Sequence, residues 1–213
     1  MFETLLRAAQ PLLTPALTLW GSPVTWLEIA ALLPALAMVL ANMRVNPVGW
    51  PLAIVSSLLY ALLFASSKLY GEAALQLVFV ALAAWGWWQW LRGRGGDGAS
   101  LRVHTLTRHQ RWWAAGATLA AWPLLGLLLL RCTDSDAPFL DALPTVGSIT
   151  GQILLGRKLL ENWPVWVAVN VVSVALFATK ALWLTAALYA VFAVLSLAGW
   201  KAWAARLPAP RAA

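Results

Sequence analysis

The sequence predicts an all-α integral membrane protein: seven transmembrane helices in a 3+1+3 arrangement, built from two parallel three-helix repeats, N-terminus outside and C-terminus in the cytoplasm. Three observations carry that expectation. Hydrophobic residues fill 62% of the 213 positions and charged residues 11%, with a mean hydropathy of +0.74, outside the range of soluble domains. A shift of 113 residues lays 50–90 on 163–203 without a gap, at 15 identities in 41 positions, where composition alone gives roughly four. Lys and Arg divide four against eleven between the two faces that seven crossings define, which places the C-terminal face inside.

Residues 1–23 form an N-terminal interfacial segment, with Leu5, Leu6, Leu12 and Leu13 of an amphipathic helix against lipid. Pro11, Pro15 and Glu3, and the lack of a small-x-small cleavage site, argue against a cleaved signal. The first repeat, 24–91, holds apolar runs at 24–42, 48–66 and 73–91, each long enough for about 30 Å of hydrocarbon. Residues 92–111 read as a flexible, basic cytoplasmic linker, opening on Gly93-Arg-Gly-Gly-Asp-Gly98 and facing anionic lipid rather than nucleic acid. A connecting helix at 112–130 has no counterpart in the repeat and turns the chain back, which is what makes the repeats parallel.

The second repeat, 139–203, holds runs at 142–160, 163–180 and 182–203, before a cytoplasmic tail at 204–213. Thr145, Ser148, Thr150 and Gln152 interrupt the first of these runs. Its support is alignment with the first run of the chain, Asp141 on Glu28 and Arg157 on Arg44. Pro51 and Pro164 fall in the first turn of paired helices, where proline is tolerated.

Chemistry sits on helix faces. Trp163, Trp166, Asn170, Ser173 and Phe177 recur at steps of three and four, and Trp50, Ser57, Tyr60 and Phe64 form the matching stripe of the first repeat. Asp141, Thr145, Ser148 and Gln152 make a third stripe, and Gln76 and Tyr189 occupy matching repeat positions. Two readings of Asn170 and Gln152 stand side by side: contacts for a polar solute, or interhelical hydrogen bonds worth about 1 kcal/mol. Gly147-Ser-Ile-Thr-Gly151 has the small-xxx-small spacing of close helix contact. Trp85, Trp87, Trp88, Trp90, Trp200 and Trp203, at helix ends, read as interfacial belts. Glu28 reads equally as a helix cap and as a binding group.

Enzyme chemistry finds little support. The two histidines, His104 and His109, lie in the linker; no His-Glu-x-x-His pair, intramembrane Asp couple or Ser/His arrangement occurs, and nothing calls for a metal or cofactor. Cys132 is the sole cysteine, so no intramolecular disulfide forms. Few ionisable groups fall inside the spans, which favours a facilitator over an ion-coupled carrier.

Trp26-Leu-Glu28, Trp50-Pro51, Tyr60, Leu69-Tyr70, Leu75-Gln76 and Gly86-Trp87-x-x-Trp90, with Asp141-Ala-Leu, Arg157-Lys158, Glu161-Asn-Trp-Pro-Val-Trp-Val-Ala-Val-Asn170, Leu188-Tyr189 and Gly199, resemble the PnuC nicotinamide riboside transporters over about residues 24–203. The most specific piece is W-x-x-W-x-x-x-N, filled by Trp163, Trp166 and Asn170, which in that family contributes to the substrate site. The resemblance implies an architecture similar to the SWEET proteins and a homotrimer with one pathway per protomer. It also implies facilitated diffusion of an unphosphorylated vitamin across the bacterial inner membrane, trapped by a cytoplasmic kinase. On that reading the two repeats rock about a midplane site. Trp163, Trp166 and Tyr189 sandwich the pyridinium, a cation–π attraction of up to about 2 kcal/mol. Asn170, Gln152, Gln76, Ser148 and Thr145 serve its carboxamide and ribose, and Trp50 and Tyr60 contribute from the first repeat. Thiamine and riboflavin, carried by the same superfamily, are also flat, and a receptor that binds without transporting shares the same residue types.

Overall fold

The structure, a computed structural model, describes residues 10–19, 21–66, 70–95, 98–132, 137–179 and 183–207. A 3-10 turn, Gln10–Leu13, leads into a hairpin of β1 (Pro15–Leu19) and antiparallel β2 (Ser22–Thr25), followed by seven long helices. These are α1 Trp26–Met43, α2 Gly49–Ser66, α3 Tyr70–Arg92, α4 Arg108–Cys132, α5 Pro138–Gly156, α6 Asn162–Thr179 and α7 Trp183–Ala204. Six of them are long and apolar enough to cross a membrane; α5, diluted by its hydroxyls and amide, is the exception. Helix limits in α1–α3 recur in α5–α7 after a shift of 112 or 113 residues. The chain divides into two compact units, Met1–Leu91 and Arg92–Ala213.

The expected interfacial helix is replaced, over residues 10–25, by the turn and hairpin. Pro11, Pro15 and Pro23 each lack the N–H that an α-helix needs. Leu12 lies exposed on the turn, while Leu5 and Leu6 fall outside the described residues. β2 delivers Thr25 as the N-cap of α1. Its hydroxyl accepts from the Glu28 N–H at 3.2 Å, and the Glu28 carboxylate accepts from the Thr25 N–H at 2.7 Å. Of the two readings of Glu28, capping is the one the structure contains.

In the first unit, the Ser56 hydroxyl of α2 donates to the Ala31 carbonyl of α1 at 2.9 Å. Trp50 of α2 lies flush on Gly86 of α3 and meets Trp90 edge to face, centroids 5.4 Å apart. The second unit repeats this device. Trp163 of α6 covers Gly199 of α7 and meets Trp203 edge to face at 5.6 Å. A Cβ at either glycine would enter the indole ring, so the glycines are what let the rings seat.

α1 and α5 also end alike. After C-caps Arg44 and Arg157, Val45 (φ 57°) and Lys158 (φ 54°) take the left-handed conformation. The N–H groups of Asn46 and Leu159 then return to Ala41 and Leu154, and those of Val45 and Lys158 to Asn42 and Leu155. Both are Schellman motifs with a side chain where glycine is usual. For a β-branched residue that conformation is strained. Val45→Gly is therefore expected to raise stability by about 1 kcal/mol, read as a higher thermal midpoint; an unchanged or lower midpoint would show the turn unstrained.

α4 packs on α5 through the Thr118 and Thr150 hydroxyls, 2.9 Å apart, and the Trp122 indole N–H, which donates to the Phe139 carbonyl at 2.6 Å. α5 approaches α6 through Gly147 against Val169 and Gly151 against Trp166. The small-xxx-small spacing thus marks close helix contact, as the sequence indicates.

The linker expected to be flexible is docked over 101–107. His104 pairs with Leu159 in a parallel bridge, its N–H donating to Lys158 and its carbonyl accepting from the Leu160 N–H. Glu161 Oε1 accepts from both the Leu106 N–H (3.0 Å) and Arg111 Nε (2.9 Å). Lys158 Nζ donates to the Leu101 carbonyl at 3.0 Å, and its burial lowers the ammonium pKa from 10.5. Long-range backbone pairing of this kind has no periodic signature, so composition misread it. Glu161→Ala is expected to speed proteolysis between residues 92 and 107 several-fold; an unchanged digestion rate would show that the carboxylate does not pin the strap.

Candidate functional site

The W-x-x-W-x-x-x-N stripe of α6 divides between two neighbours. Trp163 (3% exposed) and Asn170 (4% exposed) turn to α7, the first onto Gly199 and Trp203, the second donating from Nδ2 to Ser196 Oγ at 3.2 Å. Trp166 turns to α5, where the backbone at Gly151 approaches its ring so closely that a Cβ there would lie 3.0 Å from Cε2. At 100° per residue the positions 166, 170, 173 and 177 form the edge of α6 in the angle between α5 and α7. Ser173 is buried on that edge, and Phe177 stacks on Tyr189 of α7 at 5.2 Å.

The structure places Trp163, Trp166 and Tyr189, the rings expected to form a sandwich, in separate contacts. Trp163 is enclosed by its own helix pair, and its partner ring is Trp203; Tyr189 pairs with Phe177 and Phe192. Trp50, fully buried against Gly86 and Trp90, is the same packing element in the first unit. The indole N–H groups of both Trp50 and Trp163 are buried without a hydrogen-bond partner among the described residues. The orphan recurs at paired positions, each beside the equivalent glycine and tryptophan. Trp90 and Trp203 are likewise buried, not interfacial as expected, whereas Trp87, Trp88 and Trp200 are exposed and Trp85 half-buried.

Trp166 and Tyr189 remain half-buried, with ring surface accessible. On α5, Gly147 and Gly151 mark the side facing α6, while Phe139 and Thr150 mark the side facing α4. Thr145, Ser148 and Gln152 share a third face, turned from α4 and adjoining the α6 side. Thr145 spends its hydroxyl proton on the Asp141 carbonyl at 3.0 Å, leaving lone pairs to accept. Gln152 is a buried residue whose side chain makes no hydrogen bond to another described residue. The Asn170 carbonyl oxygen likewise has no such partner. In the first unit, Tyr60 stacks on Phe64 at 5.9 Å and Gln76 is half-buried on α3.

Ser196 is the residue that sequence reasoning missed. It binds Asn170 while donating its own proton to the Phe192 carbonyl at 2.8 Å. The signal was present: 189, 192, 196, 199 and 203 step by three and four along α7. No group of three or more metal-ligating side chains occurs among the described residues.

Among the described residues seven long helices occur, six of them long and apolar enough to cross a bilayer, which defines a multi-pass membrane protein. The chain belongs to the nicotinamide mononucleotide transporter family, the PnuC family, which it matches over residues 25–205. In bacteria this family resides in the inner membrane. The chain is 26% identical to the nicotinamide riboside transporter PnuC of Escherichia coli K12, covering 86% of this chain and 87% of that one. It is 28% identical to the riboflavin/roseoflavin transporter RibM of Streptomyces davaonensis, covering 88% and 89%. A crystal structure of the vitamin B3 transporter PnuC shares the fold at a TM-score of 0.69, with 24% identity, 84% of this chain and 81% of that one covered.

Proposed function

We propose that this protein is a facilitator for nicotinamide riboside, its helices crossing the membrane in a 3+1+3 order with the N-terminus outside. The observation that carries the reading is a pair of amides on buried residues, Gln152 and Asn170, near the half-buried ring of Trp166: among the described residues neither the Gln152 side chain nor the Asn170 carbonyl oxygen has a hydrogen-bond partner. Buried amides seek partners, and a flat cation with a carboxamide and ribose hydroxyls supplies them. Trp166 and Tyr189 offer ring surface to the pyridinium, Asn170 and Gln152 hold its carboxamide, and Thr145 and Ser148 meet the ribose.

The family's name carries a phosphorylated nucleotide, but the helices here favour the riboside. α5 and α6 contain no Lys or Arg, and α7 has only Lys201 in its last turn, so a phosphate would meet no cation along this edge. Uptake is then downhill and becomes one-way when a cytoplasmic kinase phosphorylates the riboside. A homotrimer with one pathway per protomer is the assembly proposed from the family resemblance. The similarity to RibM favours riboflavin as the second reading, since a flat neutral ring uses the same aromatic and amide groups.

Calorimetric titration of the purified protein with nicotinamide riboside, thiamine and riboflavin, followed by counterflow of the bound solute in liposomes, tests this. Riboside binding with exchange is expected. Binding without exchange would make the protein a receptor, and riboflavin or thiamine binding alone would move it to a sister specificity.

A further inference from the structure

We propose that Arg108 and Arg111, at the start of α4, hold the phosphate of an anionic phospholipid. The first turn is rigid: the Thr107 hydroxyl accepts from the Gln110 N–H at 3.3 Å while the Gln110 side chain accepts from the Thr107 N–H at 3.0 Å. Arg108, Arg111, Trp112 and Ala115, at steps of three, one and three, line one open cleft of about 300 Å³. Arg111 also borders a second cleft of about 260 Å³ walled by Leu160, Glu161, Pro164 and Trp200.

The charges in these clefts suit a single phosphodiester. Glu161 takes Arg111 Nε at 2.9 Å and is itself pinned by the Leu106 N–H, so the guanidinium is held in place. Its terminal nitrogens make no hydrogen bond to a described residue, and Arg108 has no ion-pair partner among the described residues. Two guanidiniums and one carboxylate leave a net charge of +1, matching one phosphodiester, and the planar donors suit its two free oxygens.

The walls favour a lipid over a soluble phosphate. Trp112 is 69% exposed, and the same flank of α4 continues through exposed Leu119 into the apolar part of a candidate membrane span. A headgroup seated on the arginines would lay its glycerol against Trp112 and its chains along that flank. A free phosphate would leave those surfaces unused. The inference is independent of which solute is transported.

Native mass spectrometry of the delipidated protein, offered phosphatidylglycerol or phosphatidylcholine with the same acyl chains, tests it. Phosphatidylglycerol is expected to be retained at least about fivefold more, and Arg108→Gln to remove most of that preference while Arg108→Lys keeps part of it. Arg94→Gln, a charge elsewhere on the linker, should change little. Equal retention of the two lipids, or an equal loss in Arg94→Gln, would overturn the site. Displacement by inorganic phosphate or glycerol phosphate at matched concentration would overturn the lipid as its occupant.

Discussion

Gly199→Ala is expected to destabilise the protein by about 3 kcal/mol, the upper end of what overpacking a well-filled contact costs. The added methyl enters the Trp163 ring, which is also held edge to face by Trp203 one turn further along α7. Relief would need α6 and α7 to separate, which would also pull Asn170 from Ser196. Gly86→Ala should act alike through Trp50. Thermal unfolding in detergent checks both, and pairing Gly199→Ala with Trp163→Leu should recover much of the loss because the two changes act on one contact. A Gly199→Ala midpoint equal to the parent's would mean the rings are not seated as described.

Asn170→Ala and Trp166→Ala are each expected to weaken solute binding between about fivefold and 150-fold, the range that about 1–3 kcal/mol of lost contact implies. Folding should survive in both. Ser196 keeps its bond to the Phe192 carbonyl when the amide is gone, and Trp166 is only half-buried. Trp163→Ala separates the site from its scaffold: it should unfold the second unit before it reports on binding, because its ring is enclosed by α7. Titration calorimetry alongside thermal unfolding distinguishes the cases. Full affinity in Asn170→Ala and Trp166→Ala would remove both from the site, and a stable Trp163→Ala that fails to bind would restore Trp163 to it.

Helix positions were legible because membrane thickness sets length and the repeat transfers each boundary. Even α5, weak by hydropathy, was recoverable from its alignment with α1. The fates of the tryptophans were not. A rule that turns helix-end tryptophans outward fails for Trp90 and Trp203, which are buried, while Trp87 and Trp200 are exposed. The distinction lies in phase: Gly86 and Trp90, like Gly199 and Trp203, are four apart on one face, and Trp87 and Trp200 stand about 100° away. That both tryptophans of each Gly-Trp-x-x-Trp run survive in the repeat says they matter, but not which one is inside. Asn170 was placed correctly on a protected face, yet its partner Ser196 needed the packing of α7 to be found. The docking of 101–107 rests on hydrogen bonds between residues some fifty positions apart, which no local pattern encodes.

The Trp50, Gly86 and Trp90 contact has a consequence for biosynthesis. Everything that closes it lies between the start of α2 and the end of α3, so this core can form while later helices are still in the ribosome or translocon, as N-terminal units generally do. The Trp163, Gly199 and Trp203 contact then closes between α6 and α7. Duplication thus gave the nascent chain two short assembly steps in place of one long one, each completed by a single ring settling over a single glycine.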